Sequence, residues 1–81
     1  MVNVELAMMV LEGLAKSPVS VRVSGNEITL EGDRLAIKEL ARLLLLLGSD
    51  TSDPEDGFEL KPGVHATAGS PILRLQLRPG A

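Results

Sequence analysis

The chain has 81 residues, a net charge of −3, no cysteine and a single aromatic residue, Phe58. This length predicts one domain over residues 1–81, and the lack of cysteine excludes a disulfide framework and a cysteine-ligated zinc site. The mild acidity disfavours nucleic acid as a partner, because phosphate binding needs clustered Lys and Arg. A hydrophobic content of 44% argues against disorder and predicts a core of aliphatic side chains.

The first predicted element is a helix that begins after Asn3, a suitable N-cap, and ends at Ser17–Pro18. Its polar residues Glu5, Glu12 and Lys16 fall in one narrow sector, so most of its surface is apolar. The segment lacks the basic start of a signal peptide. The longest leucine run is far shorter than the roughly 20 apolar residues that cross a bilayer. We therefore expect a cytoplasmic protein with no membrane partner.

Two short runs, residues 19–24 and 27–31, alternate apolar and polar side chains. This period-two pattern is typical of half-buried strands. Gly25–Asn26 between them is a tight-turn dipeptide, so the two strands are expected to form a hairpin. Its polar face carries Arg22 and Glu31, which we predict to be cross-strand partners.

A second predicted helix begins after the N-cap Asp33 and ends in five consecutive leucines, residues 43–47. Gly48 is expected to stop it in a left-handed conformation. The face predicted to lie on the sheet consists of Ile37, Leu40, Ala41, Leu44 and Leu47. Leu43 and Leu46 lie off that face, so they need cover from the first helix or from a second subunit.

The solvent side of this second helix is predicted from its charged residues, Lys38, Glu39 and Arg42. The two helices together leave more apolar surface than one sheet covers. We therefore expect a homodimer whose interface includes side chains of both helices, namely Val4, Met8, Leu11, Leu43 and Leu46.

An acidic loop follows the leucines. Its carboxylates are Asp50, Asp53, Glu55 and Asp56. Their spacing does not match the ligand order of a calcium-binding EF-hand loop. The loop is therefore either a solvated connection or a contact surface for a basic protein partner, since such a patch steers association with positive charge.

Two further strands are predicted, a short one over residues 58–61 and a clearly alternating one over residues 73–78. His65, the only histidine, lies in a Gly/Ala-containing loop between them, and we assign it no metal or catalytic role. The resulting fold is α+β, in the order α-β-β-α-β-β. We predict a two-layer sandwich with one four-stranded antiparallel sheet and both helices on its apolar face. The polar face of that sheet is either solvated or a docking surface.

The sequence lacks the motifs that are typical of hydrolases, phosphate-binding proteins and proteins that bind single-stranded nucleic acid. No G-x-S-x-G elbow accompanies His65, no G-x-x-x-x-G-K phosphate loop occurs, and no aromatic platform exists for single-stranded nucleic acid. Paired carboxylates occur only in the acidic loop, where nothing would exclude water or raise a pKa. We therefore expect no enzymatic activity, no cofactor and no metal site.

Residues 26–78 resemble the bacterial immunity protein 32 family of polymorphic toxin systems. The shared features are a strand I-T-L-E-G-D leading into a leucine-containing helix, an acidic insertion, the turn Lys61-Pro62-Gly63, and a G-S-P segment at 69–71 before the last strand. This chain departs from the family in placing His65 after the third strand and not within it. The resemblance implies a non-enzymatic protein that neutralises a toxin by binding it. The alternative is a structural or regulatory module that associates only with itself.

Overall fold

The computed structural model describes residues 3–49 and 57–78. Two helices and four strands follow one another along the chain, and their bounds are α1 Val4–Lys16, β1 Ser20–Ser24, β2 Glu27–Glu31, α2 Arg34–Leu47, β3 Gly57–Leu60 and β4 Leu73–Gln76. The α+β class and the order α-β-β-α-β-β are confirmed. In the described part of the chain, neither helix is long and apolar enough to cross a membrane.

Both helices begin at the N-caps that the sequence indicates. The Asn3 Oδ1 atom accepts a hydrogen bond from the Leu6 amide at 3.1 Å, and Asp33 Oδ1 accepts one from the Ala36 amide at 2.8 Å. The expected left-handed stop at Gly48 is wrong, because its φ is −82°. Its amide instead donates to the carbonyl oxygen of Leu44 at 2.9 Å, which simply closes the last helical turn.

The two helices pack against each other in antiparallel orientation. Gly13, near the end of α1, lies against Glu39 in the first half of α2, whereas Leu6 near the start of α1 lies beside Leu46. The main core contains residues from both helices, the second sheet and the segments that flank the strands, namely Val10, Leu14, Val19, Ala36, Leu40, Leu43, Leu60 and Ala66. The core is thus entirely aliphatic, as the composition predicts.

The face of α2 that is buried differs from the predicted one. The apolar residues that it buries are Ala36, Leu40, Leu43 and Leu47. Ile37, Ala41 and Leu44, which were expected to face the sheet, are exposed. The buried side chains repeat with spacings of four, three and four residues, so they form one stripe as regular as the predicted stripe but rotated around the axis. Glu39, predicted to be on the solvent side, lies at the edge of this stripe and is only 6% exposed.

The predicted four-stranded sheet is wrong, because the structure contains two separate two-stranded antiparallel sheets. In the first, β1 pairs with β2 and Arg22 lies opposite Thr29. In the second, β3 pairs with β4 and Glu59 lies opposite Arg74. The predicted partners Arg22 and Glu31 are confirmed as an ion pair, 3.5 Å apart.

A segment between β3 and β4 explains why the sheets do not merge at β1. The Val19 amide donates to the His65 carbonyl oxygen at 3.2 Å, and the Val19 carbonyl oxygen accepts from the Thr67 amide at 2.8 Å. The next outward amide of β1, that of Val21, donates to the buried hydroxyl of Ser70 at 2.9 Å. These bonds occupy the edge of β1 that a third strand would otherwise use, so β3 and β4 form a sheet of their own.

Candidate protein-binding surfaces

Large apolar side chains are unusually abundant on the surface of this small fold. In the part of the chain that the structure describes, eight buried apolar residues larger than alanine form the interior. Thirteen large ones are exposed among the described residues: Val4, Leu6, Met8, Met9, Val23, Ile28, Leu30, Leu35, Ile37, Leu44, Leu45, Val64 and Ile72. Single exposed apolar residues are ordinary, but contiguous ones mark contact surfaces. Their arrangement on each element therefore matters.

One exposed stripe follows the flank of α1. Val4, Met8, Leu11 and Ala15 recur with spacings of four, three and four residues, which places them on one line along the helix. Val4 and Met8 are more than half exposed, whereas Leu11 is half-buried against the core. Three of the predicted self-association residues thus lie together on an accessible face.

A second apolar surface is the groove between the two helices, with a volume of about 290 Å³. The groove is lined by Leu6, Val10, Arg42, Leu45, Leu46 and Ser49. Leu45, the most exposed of the large apolar side chains in the described part at 74%, forms one wall. Leu46, another of the predicted self-association residues, also lines the groove and is half-buried.

The guanidinium of Arg42, the charged group at this groove, is held in place by a buried carboxylate. Arg42 Nη1 donates to Glu39 Oε1 at 2.7 Å, and Glu39 is almost completely buried between the helices. Space for its carboxylate comes from Gly13 of α1, because a Cβ atom there would lie 2.7 Å from Glu39 Oε2. This buried carboxylate fixes the guanidinium of Arg42 at the rim of a mostly apolar groove.

His65 lies in another groove, beside α1 and together with Met8, Leu11, Glu12 and Ala15. Its Nδ1 atom is buried and has no hydrogen-bond partner among the described residues. Burial lowers the pKa of the imidazole below its usual value of 6.5, and the positive charge of Lys61 lowers it further. The lowered pKa favours the neutral imidazole, which suits an apolar wall better than a charged ring.

The strands contribute a third surface, because the β1–β2 hairpin extends beyond the core. Val23 and Ile28, which are opposite each other near the turn, are 61% and 67% exposed. Only Val21 on the apolar face of this hairpin is buried, and Leu30 opposite it is exposed. The hairpin therefore presents an apolar face that the rest of the described chain leaves uncovered.

The other predicted site residues have different fates. The acidic loop residues Asp50, Asp53, Glu55 and Asp56 lie outside the described residues. Leu43, proposed for self-association, is completely buried in the core of the single chain, so its cover comes from within the molecule. The polar faces of the sheets carry ion pairs, the shorter being Arg74 Nη2 to Glu59 Oε1 at 2.7 Å.

Three features were not anticipated from the sequence, namely the buried carboxylate of Glu39, the anchored guanidinium of Arg42 and the buried hydroxyl of Ser70. Gly13 was the one available signal for Glu39, because a glycine inside an apolar helix often marks a close approach of another group. Ser70 had no comparable signal. Within residues 3–49 and 57–78, no group of three or more His, Cys, Asp or Glu side chains could hold a metal ion.

Comparison with known proteins gives no match, whether with protein-family models, with curated proteins or with solved structures.

Proposed function

We propose that this chain functions by binding protein through its exposed apolar side chains, and that it does no chemistry of its own. The observation that carries this proposal is the excess of large exposed apolar residues over buried ones. In a chain of this size such surface is costly in water, and a protein interface is the usual means of covering it. The proposed location of this activity is the cytoplasm.

Two kinds of complex fit the proposal. A homodimer is favoured by the regular stripe of Val4, Met8 and Leu11, since a self-complementary apolar helix face suits a two-fold interface. A complex with a toxin domain is favoured by the resemblance of residues 26–78 to immunity proteins. The groove between the helices, lined by Leu45 and Leu46, is the surface that we propose for such a partner of different sequence. The two forms are compatible, because an immunity protein can also be a dimer.

The test of protein binding is affinity capture of the tagged chain, combined with sedimentation of the purified protein. The informative variant is Leu6→Lys/Leu45→Lys, which places two charges in the groove between the helices. Its matched control is Leu44→Lys, an exposed leucine of the same helix that does not line the groove. We expect a partner in near-stoichiometric amount, lost from the groove variant and retained by the control. A strict monomer at high micromolar concentration that captures no stoichiometric partner would contradict the proposal.

The toxin-binding form has a test of its own, based on the acidic loop. Reversing the charges of Asp50, Asp53, Glu55 and Asp56 together should abolish capture of a basic toxin domain, because opposite charges steer and hold such complexes. Capture of a toxin domain at unchanged affinity would remove the loop from this account. Capture of copies of the chain alone would favour the self-associating module.

A further inference from the structure

Among the described residues, no strand pairs with the outer edge of β2, so its backbone groups are open to another strand. Gly25 and Asn26 form a two-residue turn, so the hydrogen bonds between β1 and β2 fall at Ser24–Glu27 and at every second pair beyond it. The backbone groups of Ile28 and Leu30 therefore point away from β1. The bond from the Val21 amide to Ser70 agrees with this alternation of backbone directions. Val21 is the partner of Leu30, and its amide also points out of the hairpin.

Within residues 3–49 and 57–78, the outer edge of β4 also has no pairing strand, since β3 pairs with its other side. The Leu75 carbonyl oxygen would lie 2.9 Å from a Cβ atom on Gly57, so the backbone of Leu75 points towards β3. Backbone groups alternate in direction along a strand, and those of Arg74 and Gln76 therefore point outward. The outward groups of β4 thus belong to polar residues, whereas those of β2 belong to aliphatic ones.

The side chains of the two segments match in pattern. Residues 27–31 of β2 read E-I-T-L-E, and residues 74–78, the end of β4 and the two residues that follow it, read R-L-Q-L-R. In both segments a charged residue stands at each end, a polar residue stands in the centre, and two aliphatic residues share the opposite face. The charges are negative on one segment and positive on the other.

The directions of the backbone groups select a parallel pairing of these edges. In an antiparallel pair, residues directly opposite each other point their backbone groups at each other, which would set Ile28 against Gln76 and mix the two faces. In a parallel pair, each outward residue bonds to the two neighbours of the residue opposite it. Ile28 opposite Leu75 would then bond to the backbone of Arg74 and Gln76, which do point outward.

In this parallel register the pairing extends β4 by the two residues that follow it, Leu77 and Arg78, and the side chains of both segments then align. Ile28 and Leu30 lie against Leu75 and Leu77, so exposed aliphatic side chains join a face that Leu75 already packs against the core. At the ends of the same register, Glu27 lies opposite Arg74 and Glu31 lies opposite Arg78. Opposite-charge and aliphatic cross-strand pairs both stabilise a sheet.

The same charges disfavour pairing of like edges. Two antiparallel copies of β2 centred on Thr29 would bring Glu27 against Glu31, and two copies of β4 centred on Gln76 would bring Arg74 against Arg78. Like charges directly opposite each other destabilise a strand pair, and charged edges are a common means of blocking unwanted sheet extension. The pattern therefore selects the unlike pair, β2 with β4, which the single chain keeps in separate sheets.

We propose that β2 of one copy pairs in parallel with β4 of a second copy, joining a two-stranded sheet of each chain into one mixed four-stranded sheet. This proposal rests on the proposed function: it takes a second copy of the chain as the partner and the strand edges, in place of the α1 stripe, as the surface. When the exchange is reciprocal, a two-fold axis relates the two chains and the dimer contains the pairing twice. Strand addition of this kind takes affinity from main-chain hydrogen bonds and selectivity from alternate side chains.

Glu31 and Arg78 are the charges to test. Glu31→Arg or Arg78→Glu alone replaces attraction by repulsion at both pairings of a reciprocal dimer. We expect each to weaken self-association roughly ten-fold or more in sedimentation equilibrium at low salt. Arg74 is left unchanged, because its short ion pair with Glu59 holds β4 to β3 in the single chain.

Two control variants separate the strand edge from other effects of charge. Arg22→Gln removes the exposed ion pair with Glu31 but keeps the charge of Glu31 at the edge. Arg34→Glu, at an exposed position of α2, makes the same change of net charge as Arg78→Glu. Both should leave self-association unchanged.

The decisive sample is an equimolar mixture of the two single variants. In a dimer of unlike variants, the introduced arginine meets the introduced glutamate at one pairing, and the native Glu31 meets the native Arg78 at the other. Both attractions return, so association should recover, and the double variant should recover as well.

A wild-type monomer at high micromolar concentration, or association that none of these changes affects, would overturn the strand pairing. The protein-binding function would survive either result, provided that the groove variant still loses a captured partner.

Discussion

Gly13 of α1 lies directly against the side chain of Glu39 of α2. Glycine inside a helix normally costs about 1 kcal/mol relative to alanine. Here it makes room for a carboxylate that is itself almost completely buried and bound to Arg42. Gly13 therefore lowers the stability of α1 locally, but it allows Glu39 to hold the charge of Arg42 at the rim of the helix groove. The contact therefore also positions the charge at this groove, since Arg42 lines it.

The effect of Gly13→Ala should depend on Glu39. With Glu39 present, the new Cβ atom lies 2.7 Å from its Oε2 and 3.1 Å from its Cδ, so we expect a destabilisation of about 1–2 kcal/mol. In a Glu39→Ala background the clash is absent, and the same change should stabilise the helix by roughly 0.5–1 kcal/mol. A double-mutant cycle in urea measures the difference. Additive effects would show that the two residues do not compete for this space.

His65 should make stability depend on pH in one narrow window. The pKa of its imidazole is lowered in the folded chain by burial and by Lys61, while the unfolded chain keeps a value near 6.5. As the pH falls below 6.5, the unfolded chain takes up a proton first, so the free energy of unfolding decreases until the folded-state pKa is passed. Above both pKa values His65 makes no pH-dependent contribution. Glu12 lines the same groove. Its negative charge favours the protonated imidazole and so acts against this loss of stability.

The measurement compares thermal unfolding of the wild type and His65→Gln from mildly alkaline to mildly acidic pH. The wild type should lose more stability than the variant on going to acid. Identical pH profiles would mean that the folded chain protonates His65 as easily as the unfolded chain does.

At the scale of one element, α2 is the part that the sequence describes least completely. Leucines 43–47 surround the axis, so hydropathy alone does not decide which of them is buried. The structure buries Leu43 and leaves Leu44 47% exposed. Ala36 lies close to Gly32, since a Cβ atom on Gly32 would be 2.8 Å from the Cβ atom of Ala36. The small side chain of Ala36 therefore helps to select this face.

Truncating these two neighbouring leucines separates the observed face from the predicted one. Leu43→Ala should lower the free energy of unfolding by about 2–5 kcal/mol, because it opens a cavity in the core. Leu44→Ala should cost less than about 1 kcal/mol, since its side chain is half in solvent. Chemical denaturation of the two variants side by side gives both values. Equal losses, or a larger loss at Leu44, would restore the predicted face.

The sequence predicts most of the local structure of this chain. The N-caps Asn3 and Asp33, the turn at Gly25 and the alternating strands are all specified by neighbouring residues, so they can be read from spacing alone. The separation of the two sheets cannot, because it depends on Ser70 and Thr67 reaching β1 from a distant part of the chain. Glu39 was misplaced for a similar reason, since its burial depends on a gap in the other helix.

At the scale of the whole molecule, the fold divides its exposed surface into two kinds. The helical layer offers an apolar groove with one anchored arginine, which suits a partner of different sequence. The strand edges offer main-chain groups flanked by glutamates on one sheet and by arginines on the other, which suits a second copy. Because the four described strands form two sheets and not one, β2 and β4 each have an outer edge without a pairing strand.

The most direct test of this account is amide hydrogen exchange along β2, followed by NMR at low and at high protein concentration. In the single chain the Ile28 and Leu30 amides face away from β1, whereas the Thr29 amide bonds to β1 and provides an internal control. Strand pairing between copies predicts that the Ile28 and Leu30 amides become protected as concentration rises, while Thr29 stays protected throughout. Rapid exchange at Ile28 and Leu30 up to high micromolar concentration would contradict it.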